Sequence, residues 1–177
     1  MNNIVLVGYM GSGKTTIGIR LSYRMKQTLL DTDKEIEREQ KRSISAIFSE
    51  DGEEAFRQME TEYLKKLVSE KQAHIISTGG GMVLREENRR LLKEIGTVIF
   101  LRATPETIWN RLKADTTRPL LQTEDPKTRI REMIHNRNAA YEASAHAIID
   151  VDNLDYEQIM DKIMRIMEDR QHENISH

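Results

Sequence analysis

The sequence predicts an α/β fold: a central, mainly parallel five-stranded sheet between two layers of helices. Three observations predict it. Short apolar runs rich in Ile and Val alternate with longer stretches of helical period. A glycine-rich stretch lies between the first such run and the first helical stretch. The chain has 177 residues, 38% of them hydrophobic, which suits one domain with a full core over residues 1–177.

The first strand is expected at "NIVLV" (residues 3–7), followed by a helix over 14–27. "TLLD" closes a short second strand at Asp31, with helices over 33–40 and 52–69 after it. "AHIIS" (73–77), "TVIFLR" (97–102) and "HAIID" (146–150) supply the remaining strands. Their content, with little polar alternation, suits strands buried on both faces. Helices are expected over 86–94, 104–113, 126–141 and 155–170; in the second of these, "TPE" offers an N-cap candidate followed by Pro at the first helical position. "DTTRPLLQTED" (115–125) reads as neither helix nor strand, and a loop of that length inside a domain suits a functional lid over about 112–125. The polar end "QHENISH" (171–177) reads as a frayed tail.

Composition excludes several functions. Lys and Arg number 27 against 29 Asp and Glu, a net charge of −2, which argues against a polybasic nucleic-acid or anionic-membrane binder. The absence of cysteine removes disulfides, zinc ribbons and thiol nucleophiles. The longest apolar runs reach about six residues, far short of the roughly 20 that span a bilayer. The N-terminus has no basic segment or long apolar run of a secretory signal, so a soluble cytoplasmic protein is expected.

"GYMGSGKT" (residues 8–15) matches G-x-x-x-x-G-K-[ST]. Successive backbone N–H groups must wrap a phosphate chain, which requires glycine where the backbone turns tightly or meets the ligand. The following helix then points its positive end at the same anion. Gly11, Ser12, Gly13, Lys14, Thr15 and Thr16 are the phosphate-binding candidates. Lys14 would neutralise the β- and γ-phosphates of ATP, and Thr15 would ligate Mg²⁺. The motif indicates a bound nucleoside triphosphate without saying what is done with it.

"DTD" supplies the next candidates. In extended backbone Asp31 and Asp33 project to one side, and at the carboxyl end of a strand both should face the ligand crevice. Paired carboxylates repel unless a cation or proton separates them. Mg²⁺ near Asp31 would leave Asp33 free for hydroxyl chemistry; the alternative is that Asp33 merely caps the next helix. Asp150 also follows a strand, but reads as an ordinary edge aspartate. Gly79, Gly80 and Gly81 form either a backbone surface touched by a small substrate or a loose turn. Among the arginines, Arg57 follows Phe56 near the core edge of its helix, and Arg118 precedes Pro119 in the expected lid. An arginine closing over a transferring phosphoryl group would stabilise charge in the transition state.

These segments in this order resemble shikimate kinase along nearly the whole chain: "GYMGSGKTTIG", "LLDTD", "SISAIFSEDGEEAFRQMETEYL", "STGGGMV", "RPLL" and "RNAAYE". The resemblance implies a P-loop NTPase-type fold like that of the nucleoside monophosphate kinases, with a mobile lid and a substrate region over about 33–62. It implies transfer from ATP, with Mg²⁺, to the 3-hydroxyl of shikimate, giving shikimate 3-phosphate and ADP. Asp33, Arg57, Gly79, Gly80, Gly81 and Arg137 match substrate positions, and Glu60 the acid that orients the substrate arginine. Lys14, Asp33 and Arg118 match the catalytic set, Arg111 and Arg118 the nucleotide side, and Thr15 and Asp31 the magnesium side. Residues 151–154 match the far adenine wall roughly. Ala140 and Tyr9 depart from the usual residues without removing a chemical group. A monomer is expected, with shikimate and ATP as its partners and neither nucleic acid nor membrane. The competing readings are a related P-loop kinase acting on another hydroxy acid or a nucleotide, and a nucleotide-binding regulatory module without catalysis.

The remaining features read as ordinary structure. Met160, Met164 and Met167 share helical spacing with Ile159, Ile163 and Ile166 and read as core. Trp109 reads as a packing residue, the five histidines share no metal-ligand spacing, and "LREENRRLLKE" reads as a solvated face. The small net charge conceals a division. Residues 102–137 carry eight basic and five acidic side chains, and residues 150–177 carry three and eight.

Overall fold

In β1 (Asn3–Val7), Ile4 and Leu6 join one core while Val5 and Val7 join the other, and all four are fully buried. That period-two division places β1 between two helical layers, where a strand must be apolar on both sides. The computed structural model describes residues 3–114 and 122–175. Among them the chain continues through α1 (Lys14–Met25), β2 (Thr28–Asp31), α2 (Thr32–Gln40), α3 (Ile44–Glu50) and α4 (Glu53–Val68). There follow β3 (His74–Ser77), a 3₁₀ turn (Met82–Leu84), α5 (Glu86–Ile95), β4 (Gly96–Arg102) and α6 (Pro105–Leu112). The last elements are α7 (Pro126–Ser144), β5 (Ala147–Asp150) and α8 (Tyr156–Ile175).

Every neighbouring pair of strands is parallel, in the order β2-β3-β1-β4-β5. On one face Ile17 and Leu21 of α1 and Ile159, Ile163 and Met167 of α8 cover Ile4, Leu6, Ile75 and Ile99. On the other, Phe56 and Leu64 of α4, Leu92 of α5 and Ile130, Ile134 and Tyr141 of α7 cover Val5, Val7, Ile76 and Phe100. The expected α/β sandwich is thus observed, with the methionines of α8 in or against the core. Trp109 packs against the second core, with the Lys127 ammonium 5.5 Å from its ring centre.

Burial on both faces holds for β1, β3 and β4 but not for the edges. Three of the four residues of β2 are half-buried and one is exposed, and Ile148 of β5 is 41% exposed, because each edge strand lacks a neighbour on one side. α3 was not expected. Ser43 caps it by accepting from Ala46 N, and Ile47 anchors it, but seven residues give too short a periodic signal. "LREENRRLLKE" is not only a solvated face: Asn88, Leu92 and Ile95 of α5 are buried, and Asn88 bonds Thr61 Oγ1 and the Met82 carbonyl. α8 runs to Ile175, five residues past the expected end at Arg170. The central stretch of the expected lid, 115–121, lies outside the described residues. Among the described residues no helix is long and apolar enough to cross a membrane.

Sheet order positions the site. β2, β3 and β1 are adjacent and parallel, so their carboxyl ends stand side by side. "DTD" leaves the first, the three glycines leave the second, and the phosphate loop leaves the third. Segments far apart in the chain therefore open onto one crevice, as open parallel sheets dictate.

Candidate active site

The phosphate loop turns through glycine. Gly8, Gly11 and Gly13 all have positive φ, and Gly13 ends the loop as the N-cap of α1 without a side-chain cap. Asp31, Ser43, Thr104 and Asp125 each cap a helix with a side-chain oxygen, whereas α1, like α4 and α5, has no side-chain cap, and of these three it is the one that opens onto the glycine-rich phosphate loop. Lys14 is buried and donates to the carbonyls of Gly8 (2.5 Å) and Tyr9 (3.0 Å). Those contacts fold its ammonium back over the loop. The Ser12 hydroxyl is buried with no protein hydrogen-bond partner among the described residues. Arg111 reaches from α6 to the Gly11 carbonyl at 2.9 Å.

A cleft of about 480 Å³ extends from this loop and is lined by Lys14, Thr15, Asp31, Asp33, Gly79 and Arg111 among others. The structure corrects the reading of "DTD". Asp31, not Asp33, caps α2, accepting from Asp33 N (3.1 Å) and Lys34 N (3.3 Å) through Oδ1. Asp33 lies in the first helical turn rather than in extended backbone, so the two carboxylates share the cleft through a strand-to-helix turn and not through strand alternation. The capping alternative for Asp33 is thereby removed. Burial, and then the Asp31 carboxylate beside it, push the Asp33 carboxyl above its ordinary value, against the pull of Lys14 and Arg57.

Glu60 is fully buried in α4, and Arg57 Nη1 donates to its Oε2 at 2.8 Å. Arg57 Nη2 also meets Glu53 Oε1 at 3.2 Å. Burial raises Glu60 to about 7 in spite of that pairing. The three glycines lie against these side chains. A Cβ on Gly79 would stand 2.5 Å from Asp33 Oδ1, and one on Gly81 would stand inside the Arg57 guanidinium. One on Gly80 would lie 3.5 Å from Arg137 Nη1. At Gly79 and Gly81 side chains occupy the space that a larger residue would need, which speaks against a loose turn there, whereas a Cβ on Gly80 would make ordinary contact. Arg137 extends from α7 with its guanidinium carbon 5.9 Å from the Tyr9 ring centre.

Three buried polar atoms around this loop have no hydrogen-bond partner among the described residues: Asp33 Oδ1, Arg57 Nε and Glu60 Oε1. Buried polar atoms are normally satisfied, so an unsatisfied group of both signs beside a cleft is a place for a polar ligand. Two arginines flanking a glycine loop suit a carboxylate, and a carboxylate of raised pKa suits a hydroxyl.

The other expectations divide. Ser77 and Thr78 line the cleft at the end of β3. Asp150 is a structural aspartate, held by Arg102 through Nε–Oδ1 at 2.5 Å and Nη2–Oδ2 at 2.9 Å. Of the far wall expected at residues 151–154, Val151 is fully buried in the core, and the cleft is lined nearby by Tyr156. Its only sequence signal was position, as the first aromatic residue after the carboxyl end of β5. Tyr141 carried no expected role, yet its hydroxyl donates to the Gly80 carbonyl at 2.6 Å. Arg118 lies outside the described residues.

Comparison with known proteins agrees with this arrangement. A family model described as shikimate kinase matches residues 10–168. The shikimate kinase of Bacillus cereus (strain AH187) is 46% identical over 163 residues, covering 92% of this chain and 96% of its own. That of Thermodesulfovibrio yellowstonii is 43% identical over 165 residues, covering 93% and 94%. Among solved structures, shikimate kinase from Acinetobacter baumannii in complex with shikimate superposes with a TM-score of 0.87 at 36% identity, covering 96% of this chain and 94% of that one. The chain belongs to the shikimate kinase family.

Proposed function

We propose that the chain transfers the γ-phosphoryl group of ATP to the 3-hydroxyl of shikimate, with Asp33, Arg57, Glu60, Arg137 and the glycines of 79–81 as its acid-binding side. The observation that carries this is a cleft shared by the phosphate loop, Asp33 and the glycine loop that rests on the Glu60 and Arg57 side chains, with Asp33 Oδ1, Arg57 Nε and Glu60 Oε1 left unsatisfied among the described residues. Arg57 and Arg137 would take the carboxylate, held on either side of the glycine loop. Glu60 fixes the Arg57 guanidinium from within the helix. The substrate oxygen forms its bond to the γ-phosphorus as the bridging P–O bond to the β-phosphate breaks. The hydroxyl proton goes to Asp33; burial and the neighbouring Asp31 push its carboxyl above the ordinary value, which makes it a better proton acceptor.

Lys14, with the free amides at the start of α1, would hold the phosphate chain in line. Arg111 and Tyr156 border the nucleotide end, and Arg118 is assigned to the transferring phosphoryl group on the family pattern. The donors available for Mg²⁺ fit it. The Thr15 hydroxyl is exposed at the cleft, and Asp31 has Oδ2 available while Oδ1 serves the cap. Both are hard oxygen ligands, and a site with few protein donors suits a cation carried largely by phosphates. Bound there, Mg²⁺ would offset phosphate charge. The chain is read as a monomeric single-domain kinase working in the cytoplasm, where ATP is available.

ADP release assayed with shikimate, gluconate and nucleoside monophosphates tests the reading. Shikimate is expected to be preferred by orders of magnitude. Preference for another acceptor would transfer the assignment to a related kinase, and ATP binding without turnover on any of them would indicate a regulatory module.

A further inference from the structure

Thr32 stands between the two aspartates and is fully buried as the first residue of α2. Its Oγ1 accepts from the Gly79 amide at 2.9 Å, a bond buried from solvent. β2 and β3 end their ladder at the Asp31–Ser77 pair, and beyond it the chains part, one into a helix and one into the glycine loop. The Thr32–Gly79 bond ties them after the ladder has ended. On the far side Tyr141, stacked on Phe100 with ring centres 5.0 Å apart, holds the Gly80 carbonyl. Between these anchors the loop touches Asp33, Arg57 and Arg137, with Gly79 leaving no room for so much as a methyl group beside Asp33.

We infer that the Thr32 hydroxyl is a positioning residue: it sets the glycine loop against Asp33, and so fixes where the acid's hydroxyl lies relative to the carboxylate that receives its proton. This deepens the proposed function and rests on it for the identity of the acid. The side chain acts through Gly79 and touches no reacting atom. Sequence position gave no hint of it, since a threonine between two acids looks like a spacer. Its hydroxyl is the feature that matters, because removing it leaves the Gly79 amide buried without an acceptor.

The test compares Thr32→Val, which keeps the shape and loses the hydroxyl, with Thr32→Ser, which keeps the hydroxyl. Hydrogen exchange at the Gly79 amide, followed without any substrate, is expected to quicken by about tenfold or more in Thr32→Val and to stay within about threefold in Thr32→Ser. In steady-state kinetics Thr32→Val is expected to raise the KM for shikimate and lower kcat, each by about tenfold, while the KM for ATP stays within about twofold. Thr32→Ser restores the acid-side constants. Unchanged exchange in Thr32→Val overturns the inference, as does an equal loss in both variants, which would make the residue a packing element. A KM for ATP that moves with that for shikimate also overturns it. The exchange experiment needs no acid, so it stands even where the shikimate assignment itself fails.

Discussion

At Asp33 the decisive facts are local: a carboxylate on the first turn of α2, pushed up by burial and by Asp31, with one buried oxygen that no described group satisfies. An amide in its place keeps the shape and cannot take a proton. Asp33→Asn is therefore expected to lower kcat about 10²- to 10⁴-fold while ATP affinity holds, read by single-turnover kinetics beside nucleotide binding. Wild-type turnover in that variant would remove the base role and leave Asp33 as a hydroxyl ligand alone. The sequence made Asp33 legible through "DTD" but not the capping role of its neighbour Asp31. Which of two adjacent carboxylates caps a helix depends on where the helix starts, and a shift of one or two residues reverses the roles. Asp31 shows a further economy, since the oxygen used for the cap differs from the one available to a cation.

Among the elements, the glycine loop after β3 is the one whose composition is explained only by what surrounds it. Gly81 has φ −99° and ψ 0°, a conformation open to any residue, so the demand for glycine comes from the Arg57 guanidinium and not from the backbone. Gly81→Ala is expected to displace Arg57 and raise the KM for shikimate by about tenfold, equivalent to about 1.4 kcal/mol, with the KM for ATP unchanged. Steady-state titration of both substrates checks this, and an unaltered acid KM would mean that Arg57 is not the carboxylate ligand. The phosphate loop contrasts with it: there the glycines at 8, 11 and 13 meet positive φ, and a motif read from sequence alone was enough to place them. Helices α1, α2, α4, α5 and α6 were legible to within two residues at each end, while α7 and α8 run three and five residues past the expected ends. α3 was missed because it is short, and the burial of Val151 was not legible because a loop's facing is set by the core into which it sinks.

Across the whole molecule, the proposed nucleotide and acid sites occupy neighbouring strand ends, so each ligand should stabilise the folded chain without the other. A non-hydrolysed ATP analogue at about 100 times its Kd is expected to add about 2.7 kcal/mol, raising Tm by roughly 5–10 °C for a chain of this size. Differential scanning fluorimetry would measure it, and Lys14→Ala should abolish most of the shift; a full shift in that variant would remove Lys14 from the phosphate site. The charge division also takes a physical form. The acidic C-terminal segment faces α1, where Glu157 meets Arg20 at 3.3 Å and Asp161 meets Arg24 at 2.9 Å, both exposed pairs of small energetic weight. The basic stretch supplies Arg111 to the cleft and Arg137 beside Gly80. By itself the sequence determined the layered α/β class, the phosphate loop and the identity of nearly every polar group at the site, because strand periodicity and the geometry of a phosphate cradle are local demands. Tertiary structure alone decided that Asp31 is the cap, that Glu60 lies buried against Arg57, that Tyr156 walls the cleft, and that Thr32 and Tyr141 hold the glycine loop. The Tyr156, Thr32 and Tyr141 contacts join segments more than 45 residues apart in the chain, while the Asp31 cap and the Glu60–Arg57 pair are local bonds; the burial of Glu60 and the pKa shifts follow from what the fold packs around them.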